Sequence, residues 1–321
     1  MRAAVIREFG RPPDYTDFAD PTPQSGETIV TVTASAINVL TLSRAAGAHY
    51  TADSTLPVIP GVDGVGTTPD GTRVYFQQPR PPYGGLAERA PALSGRLVPV
   101  PDGLDDVSAA AAAIPGMSCW LPLSLHARVR PGESVLVNGA TGASGQMAIQ
   151  VAKHFGARQV IATGRDESQL GSLSEIGADS VISLAQPTED LRRAIRNEAA
   201  RSSIGVVLDY LWGPSAENII GALGGPRAPR GAERIRYVSI GSIGGESIPM
   251  PSALLRSSGL EILGSGFGSV TPDQALTAIR EFFGAYAGAH FRISTEPHPL
   301  SEVARLWGRT GGGRRLVFTP R

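Results

Sequence analysis

Short apolar runs rich in valine, isoleucine and leucine alternate with helical segments along the chain from Ser134 onwards. Parallel strands need a crossover connection between them, and a helix normally provides it. The alternation therefore predicts a parallel sheet that helices cover on both faces. The predicted strands are 134–139, 159–163, 179–184, 204–209, 235–240 and 259–264.

The first hundred residues have a different texture, with many prolines and glycines between short β-branched runs. This punctuation predicts a compact, mostly β module. An acidic, alanine-rich helix is predicted at 104–114, and we expect the Pro115-Gly116 pair to end it. The predicted strands of the module are 3–6, 28–36, 73–76, 86–90 and 96–100.

The end of the chain contains one strong helix signal followed by β-like segments. Thr271-Pro-Asp supplies an N-cap, a proline at the first helical position and an acid in the first turn, which predicts a helix to about residue 287. Beyond it, strands are predicted at 291–294 and 315–318, around a helix at 301–307, and we expect this tail to return to the N-terminal module. The predicted domains are 1–115 with 291–321, and 116–290.

A glycine-rich turn joins the first parallel strand to a helix, in the run Val135-Leu-Val-Asn-Gly-Ala-Thr-Gly-Ala-Ser-Gly145. Glycines at 142 and 145 let a phosphate approach bare backbone, and the helix N-terminus offers unpaired N–H groups. Spaced glycines are weak evidence in a chain with 39 of them, and a tight strand-to-helix connection is the alternative. The strand before the turn and the helix after it favour a dinucleotide site. The turn residues expected to contact the cofactor are Ala140, Thr141, Gly142, Ala143, Ser144 and Gly145.

The next strand ends in Gly164-Arg165-Asp166, at the place where such folds bind the adenosine ribose. Asp166 is spaced as the N-cap of the following helix, with Gln169 in the capping-box position. Arg165 is then free to bind a 2′-phosphate bidentately, with Gly164 beside it. We therefore predict NADPH as the cofactor. The alternatives are that Asp166 accepts from the adenosine ribose hydroxyls of NADH, and that Arg165 is an exposed arginine without a ligand.

Composition and charge narrow the function further. The chain has 29 basic and 29 acidic residues and no basic stripe, which argues against nucleic acid or an anionic membrane surface as the main partner. The N-terminus is too charged and short for a signal peptide, and no apolar run reaches membrane length, so we expect a cytoplasmic protein. The single cysteine, Cys119, excludes internal disulfides and a multi-cysteine zinc site.

Five short motifs follow one another in a specific order. They are Asn38-Val-Leu-Thr-Leu-Ser-Arg44, Pro60-Gly-Val-Asp-Gly-Val-Gly66, Ala113-Ile-Pro-Gly-Met-Ser-Cys-Trp120, the glycine-rich turn and Gly177-Ala-Asp-Ser-Val-Ile182. With the order of the predicted elements, they resemble the medium-chain dehydrogenase/reductase superfamily over the whole chain, most closely its zinc-free quinone oxidoreductase branch. The resemblance implies an α/β fold, with a Rossmann-type doubly wound parallel sheet and a mostly β, GroES-like N-terminal module that the C-terminal tail completes.

Zinc-dependent members of this superfamily have a cysteine where Asn38 stands and a His-Glu pair where Val62-Asp63 stand. An amide and an isopropyl group cannot complete a three-ligand zinc site, so no metal ligand is assigned. Without a Lewis acid, the resemblance disfavours alcohol oxidation. It favours hydride delivery to a quinone or to the β-carbon of an α,β-unsaturated carbonyl, as in an enone or an enoyl thioester.

The resemblance also implies cofactor contacts outside the turn. Ser118 would lie near the nicotinamide ribose, and the alternative is an ordinary helix serine. Phe267 belongs to a glycine run after the last strand, and the alternative there is a simple turn. Relatives that bind NADPH often have a lysine and a tyrosine where Gln169 and Leu184 stand here, so the phosphate contact would rest more heavily on Arg165. The additional contacts are Ser118, Ser239, Gly241 and Phe267.

Asn38 and Tyr50 are the catalytic candidates. Because Asn38 replaces a metal ligand, the resemblance implies that its amide points toward the nicotinamide, where it could donate to a carbonyl oxygen as negative charge develops. Tyr50 lies in Gly47-Ala-His-Tyr50, which is similar to the Gly-x-Tyr segment that carries a proton-donating tyrosine in enoyl thioester reductases, with one residue more in between. A surface-loop aromatic is the alternative for Tyr50, and Asp63 is expected to be a structural acid.

We therefore predict a metal-free, NADPH-dependent oxidoreductase that reduces a small quinone or enone. The alternatives are a tailoring reductase or cyclase acting on one biosynthetic intermediate, and a non-catalytic NADPH-binding sensor. The sixth strand, at 260–263, lies at a sheet edge in this topology, and an unpaired apolar edge needs cover. Relatives pair this strand across a two-fold axis, so the resemblance implies a homodimer.

Overall fold

The computed structural model describes residues 1–52, 55–225, 234–309 and 313–320. It divides the chain into two compact units, which we call the first unit (Met1–Ala113 with Ile279–Arg321) and the second unit (Ile114–Ala278). In chain order the strands are β1 (Arg2–Val5), β2 (Asp14–Asp17), β3 (Glu27–Ala36), β4 (Asp63–Thr67), β5 (Arg73–Gln77), β6 (Arg89–Leu93), β7 (Val98–Pro99), β8 (Ser134–Asn138), β9 (Gln159–Gly164), β10 (Ser180–Ser183), β11 (Ile204–Asp209), β12 (Ile235–Ser239), β13 (Leu260–Gly264), β14 (Thr295–Pro299) and β15 (Arg315–Thr319). The helices are α1 (Val39–Ala45), α2 (Asp106–Leu121), α3 (Ala143–His154), α4 (Glu167–Leu170), α5 (Thr188–Ser202), α6 (Gly213–Gly224), α7 (Ser252–Ser257), α8 (Pro272–Ala289) and α9 (Val303–Leu306).

The second unit contains a parallel sheet with the strand order β10-β9-β8-β11-β12-β13. The chain runs from β8 to one edge, returns to the centre and continues to the other edge, which is the doubly wound arrangement. Its central strands are fully buried, with Leu136, Ile161 and Val207 each 0% exposed. The predicted strands and the predicted fold class are confirmed.

The predicted end of a helix at Pro115 is wrong. Helix α2 runs through Pro115 to Leu121 and continues in a π-helical turn over Pro122–His126. A proline inside a helix removes one backbone hydrogen bond and is normally destabilising. Here the alanines at 109–113 and Cys119 are almost completely buried, so tertiary packing on both sides of Pro115 holds the helix together.

The segment Asp106–His126 is long and apolar enough to cross a membrane. It lies mostly inside the protein, since 72% of its most apolar window is buried. Core helices of globular proteins meet the same length and hydropathy criteria, so this segment is weak evidence for a membrane span among the residues that the structure describes.

The first unit is built on a sheet with the strand order β14-β15-β3-β4-β5-β7, and β6 also pairs with β3. Strand β15 lies antiparallel to β3, so the predicted return of the C-terminal tail to the N-terminal module is confirmed. The predicted strand at 291–294 is wrong, because Phe291 stacks on Phe282 of α8 and the strand begins only at Thr295. The sequence analysis also missed β4, whose Gly66 is required because a Cβ there would lie 2.2 Å from the carbonyl oxygen of Thr31.

Helix α8 crosses the boundary between the two units, which lies at 278 and not at the predicted 290. Its second half carries a run of aromatic residues that belong to the core of the first unit. Phe283, for example, lies edge-on to Tyr75 of β5, with 5.6 Å between the ring centroids. The sequence predicts one continuous helix here and does not indicate that its two parts belong to different units.

Candidate functional site

The glycine-rich turn connects β8 to α3 in the second unit. Gly142 is the N-cap of α3, and a Cβ there would meet only the carbonyl oxygen of Gly139, at 3.8 Å. Gly145 is different, because a Cβ there would lie 2.4 Å from the carbonyl oxygen of Gly139. Gly142 therefore leaves open space beside the backbone, whereas Gly145 allows the helix to pack against its own turn.

The N-terminus of α3 is available to an anion. No side chain caps it, so the first N–H groups, at Ala143, Ser144 and Gly145, have no side-chain acceptor. Gln146 donates from Nε2 to the carbonyl oxygen of Thr141 at 3.0 Å, which fixes the turn. Unpaired N–H groups and the positive end of a helix dipole stabilise negative charge at such a site. The observed cradle fits the diphosphate of a dinucleotide.

The end of β9 lies against this turn. Ala140 donates its N–H to the carbonyl oxygen of Thr163 at 2.7 Å, and a Cβ on Gly164 would lie 2.6 Å from Cγ2 of Thr141. Gly164 is therefore required for the close approach of the end of β9 to Thr141 in the glycine-rich turn. This contact brings Arg165 to the same edge of the sheet as the glycine-rich turn.

The predicted cap at Asp166 is confirmed. Its carboxylate accepts from the N–H of Ser168 at 3.1 Å, and this and other hydrogen bonds, first among them that of the Ser168 hydroxyl, lower the pKa of Asp166. Gln169 donates to the Asp166 carboxylate, whereas in a capping box its side chain would accept from the backbone N–H of Asp166. The side chain of Arg165 is exposed and has no hydrogen bond or ion pair with the residues described.

A buried polar network that the sequence analysis missed joins the carboxyl ends of four neighbouring strands. Asn138 of β8 accepts from the hydroxyl of Thr163 at 2.7 Å and donates to Oδ1 of Asp209 at 2.7 Å. The other oxygen of Asp209 accepts from the hydroxyl of Tyr237 at 2.7 Å, and the N–H groups of residues 211 and 212 also donate to this carboxylate. Burial raises the pKa of Asp209, and these hydrogen bonds oppose that shift. A sequence signal did exist, because each of these polar residues ends, or nearly ends, an apolar strand.

The remaining predicted cofactor contacts lie on three other segments of the second unit. Ser118 donates its hydroxyl to the carbonyl oxygen of Pro115 at 2.8 Å, as a helix serine commonly does. Ser239 ends β12, and Gly241 donates its N–H to the carbonyl oxygen of Asp209 at 3.2 Å. Phe267 is half-buried in the turn that follows β13. Ser239 and Gly241 thus share the carboxyl edge of the sheet with the glycine-rich turn.

Asn38 caps helix α1 in the first unit. Its Oδ1 accepts from the N–H of Thr41 at 2.7 Å, and the residue is 5% exposed. Its Nδ2 is buried and has no hydrogen-bond partner in the described structure. An unpaired buried donor costs free energy unless a ligand or a water satisfies it. The cap fixes the amide so that this NH₂ group is the one left to donate.

Tyr50 is 74% exposed, in the segment that follows α1. Its ring stacks on the imidazole of His49, with 4.2 Å between the ring centroids. His49 accepts the N–H of Thr51, and burial lowers the pKa of this imidazole. The structure thus brings Tyr50 together with His49 and places its phenol in contact with solvent.

Two further buried ionisable groups lie in the first unit. Asp63 is 1% exposed; its Oδ2 accepts from the hydroxyl of Tyr75 at 3.0 Å, and its Oδ1 has no partner in the part of the chain described. Burial raises the pKa of Asp63 to about 7. Arg315 interacts electrostatically with Asp63, and burial lowers its pKa to about 10. The sequence analysis expected Asp63 to be structural and did not find Arg315.

The described residues contain no group of three or more His, Cys, Asp or Glu that could hold a metal ion. Cys119 is fully buried, and burial raises the pKa of its thiol well above the usual range. Tyr210 is 8% exposed and donates its hydroxyl to the carbonyl oxygen of Ser118 at 3.2 Å. These side chains therefore contribute to packing within the second unit.

Comparisons with known proteins agree with this geometry. A family model described as zinc-binding dehydrogenase matches residues 143–283. The probable NADPH-dependent quinone reductase tdiC of Emericella nidulans is 30% identical, in an alignment that covers 100% of both chains. A quinone oxidoreductase of Rattus norvegicus is 29% identical, and the alignment covers 68% of each chain. The solved quinone oxidoreductase of Thermus thermophilus, whose structure was also determined with NADPH, is 28% identical with a TM-score of 0.80 and covers 99% of this chain and 100% of its own.

Proposed function

This chain belongs to the medium-chain dehydrogenase/reductase superfamily, in its quinone oxidoreductase-like branch, as an NADPH-dependent oxidoreductase, and we propose that its acceptor is a quinone bound at Asn38. An α,β-unsaturated carbonyl is the chemically equivalent acceptor, since hydride addition to its β-carbon also places negative charge on a carbonyl oxygen. When bound, NADPH supplies the hydride. The chain's own residues bind, orient and stabilise the charge that forms.

The second unit offers groups for each anionic part of the cofactor. The uncapped N-terminus of α3 and the open space beside Gly142 suit the diphosphate. Arg165 is exposed and unengaged at the end of the neighbouring strand, as a 2′-phosphate ligand needs to be. We assign Thr141 and Gly164 to the wall between these two positions, because their side-chain and backbone atoms are in contact there.

The unpartnered Nδ2 of Asn38 carries the proposal for the acceptor. Hydride addition to a quinone moves an electron pair onto a carbonyl oxygen, and a preorganised N–H donor stabilises that charge as it develops. Because Oδ1 of Asn38 is held by the N–H of Thr41, the amide cannot rotate to present its oxygen without losing the cap. Asn38 therefore discriminates in favour of ligands that accept a hydrogen bond.

Replacing Asn38 with Asp tests this role. Aspartate keeps the cap, since its carboxylate also accepts from Thr41, but it has no N–H to donate. We expect kcat/KM for a panel of small quinones to fall at least about tenfold, with NADPH affinity unchanged. Asn38→Ser keeps the cap and a weaker neutral donor, so its loss should be smaller. Full activity of Asn38→Asp would show that the amide only caps the helix.

We also propose that the protein forms a homodimer through β13. This strand lies at one edge of the parallel sheet, where β12 is its only neighbouring strand in the described structure, and Ile262 is 37% exposed. Light scattering should give twice the 33.5 kDa mass of the chain, and Ile262→Lys should shift the protein toward the monomer. Val181, 44% exposed on the opposite edge strand β10, provides the matched control, since Val181→Lys should leave the dimer intact.

A further inference from the structure

Arg315 is a buried guanidinium without a partner. It opens β15 and is 9% exposed. Its Nε and Nη2 atoms have no hydrogen-bond partner, and it takes part in no ion pair with the residues that the structure describes. Burying a charge without compensation costs several kcal/mol, so a group in this state calls for a ligand.

The strand register places Arg315 opposite Asn38. Ala36 pairs with Val317, and Ile37 donates its N–H to the carbonyl oxygen of Leu316 at 3.0 Å. Continued by one more residue, this register opposes Asn38 to Arg315, and Asn38 has extended backbone angles that continue the strand. Because the pair before it is hydrogen-bonded, this pair is of the non-hydrogen-bonded type, in which opposed side chains share one face and lie closest together.

Asp63 offsets only part of the charge of Arg315. It interacts electrostatically with Arg315 but makes no ion-pair contact with it, and its Oδ1 is unpartnered. Tyr75 occupies the other carboxylate oxygen. The unsatisfied donors therefore come from Asn38 and Arg315, so a ligand that satisfies both must accept hydrogen bonds, and the guanidinium favours an oxygen that carries negative charge.

We propose that Arg315 and Asn38 together bind the oxyanion of the acceptor, so that Arg315 is a second catalytic residue for the reduction. This inference rests on the proposed quinone reduction. As the hydride adds, the carbonyl π electron pair moves onto the oxygen, and the hydroquinone or enolate anion is held by the amide and the guanidinium until Tyr50 or water supplies the proton. The α3 N-terminus and Arg165 in the second unit already account for the phosphates of the cofactor, which leaves this guanidinium to the acceptor.

Binding of 4-nitrophenol tests the site without turnover, because this phenol is a stable analogue of the oxyanion and only its ionised form is yellow. With NADP⁺ present, we expect the protein to bind it as the phenolate at a pH where the free phenol is mostly neutral. Arg315→Met should weaken this binding at least about tenfold and leave any bound phenol neutral. Arg315→Lys keeps the charge but not the planar guanidinium, so its affinity for the phenolate should lie between those of wild type and Arg315→Met. Arg314→Met is the matched control, since Arg314 is exposed and directly precedes β15.

Two outcomes would overturn the proposal, and a third would overturn only the quinone reduction. Unchanged phenolate binding by a folded Arg315→Met removes the oxyanion role, and Arg315→Lys decides the same question if the methionine variant does not fold. A loss of NADPH affinity as large as the loss of phenolate affinity would assign the guanidinium to the cofactor. If wild type binds the phenolate and yet consumes no NADPH with any quinone, the quinone reduction is wrong while the oxyanion site stands.

Discussion

The amide of Asn138 donates to Oδ1 of Asp209 across 2.7 Å in the fully buried interior of the second unit. This hydrogen bond links the ends of β8 and β11 directly beneath the glycine-rich turn. The same carboxylate also accepts the hydroxyl of Tyr237 and the N–H of Trp212. Asp209 thus fixes both the strand ends and the loop that leads into α6, and the cofactor edge of the sheet depends on it.

We predict that Asp209→Ala destabilises the protein by about 3 kcal/mol or more, because it leaves several buried donors unsatisfied at once. Tyr237→Phe removes only one of those donors and should cost about 1 kcal/mol. Chemical denaturation of both variants measures the difference in the free energy of unfolding. Equal stability of Asp209→Ala and wild type would mean that water replaces the carboxylate without loss.

Arg165 should decide the choice of cofactor. Arg165→Ala is expected to weaken NADPH binding by about 1.5–3 kcal/mol, the range for hydrogen bonds to a charged group, and to leave NADH binding nearly unchanged. Arg201 is the matched control, because it is exposed at the end of α5. It lies near the amino end of β11, whereas Arg165 follows the carboxyl end of β9. Titration of the fluorescence of each reduced cofactor measures both affinities. An equal loss for both cofactors would make Arg165 structural.

The second unit was predictable because its signals are local. Each buried strand is a short apolar run, and the caps at Asp166 and Thr271 are formed by residues within three positions of each other. Pro115 shows where local signals fail, since burial of the flanking residues overrides the helix-breaking tendency of proline. The same limit explains why β4 was missed, because its glycines are selected by the close approach of β3 and not by strand propensity.

The site was predictable only in part, for the same reason. The glycine-rich turn is contiguous, whereas Asn138 and Asp209 are 71 positions apart and meet only when the strand order is known. Arg315 and Asn38 come from opposite ends of the chain and are opposed only through the register of β15 on β3. Asn38 itself was found through the resemblance, and the sequence did not reveal that its amide oxygen is already engaged as a helix cap.

Asp63 should make stability depend on pH. Its folded pKa of about 7 lies above the ordinary value of 3.8, so the folded state binds the proton more tightly than the unfolded chain does. The stabilising contribution is therefore fully present below about pH 4 and is lost as the pH rises through about 7. At about 1.4 kcal/mol per pKa unit, the loss amounts to no more than roughly 4.5 kcal/mol.

Asp63→Asn removes this titration, so we predict that its stability relative to wild type increases between about pH 5 and pH 8. Thermal melting across that range measures the trend. Asp70→Asn is the control that should show no trend, because hydrogen bonding, first with the Thr68 hydroxyl, lowers the pKa of this exposed carboxyl and keeps it ionised across the whole range. A wild-type-to-variant difference that does not vary with pH would show that Asp63 does not titrate in this range.

The hydroxyl of Tyr50 is the group that would donate a proton to the reduced substrate, and Tyr50→Phe removes only that hydroxyl. Its phenol is 74% exposed beside His49, so it can regain a proton from solvent between turnovers, as a proton donor must. If it protonates the enolate, Tyr50→Phe should lower kcat for an enone by about tenfold or more and leave NADPH affinity unchanged. A quinone should lose less, because its reduced oxygen can take a proton from water. Tyr15→Phe, which deletes a hydroxyl elsewhere in the first unit, controls for the loss of a phenol in general. Full activity of Tyr50→Phe toward the best enone would transfer proton delivery to water, and the ring would then serve only to stack on His49.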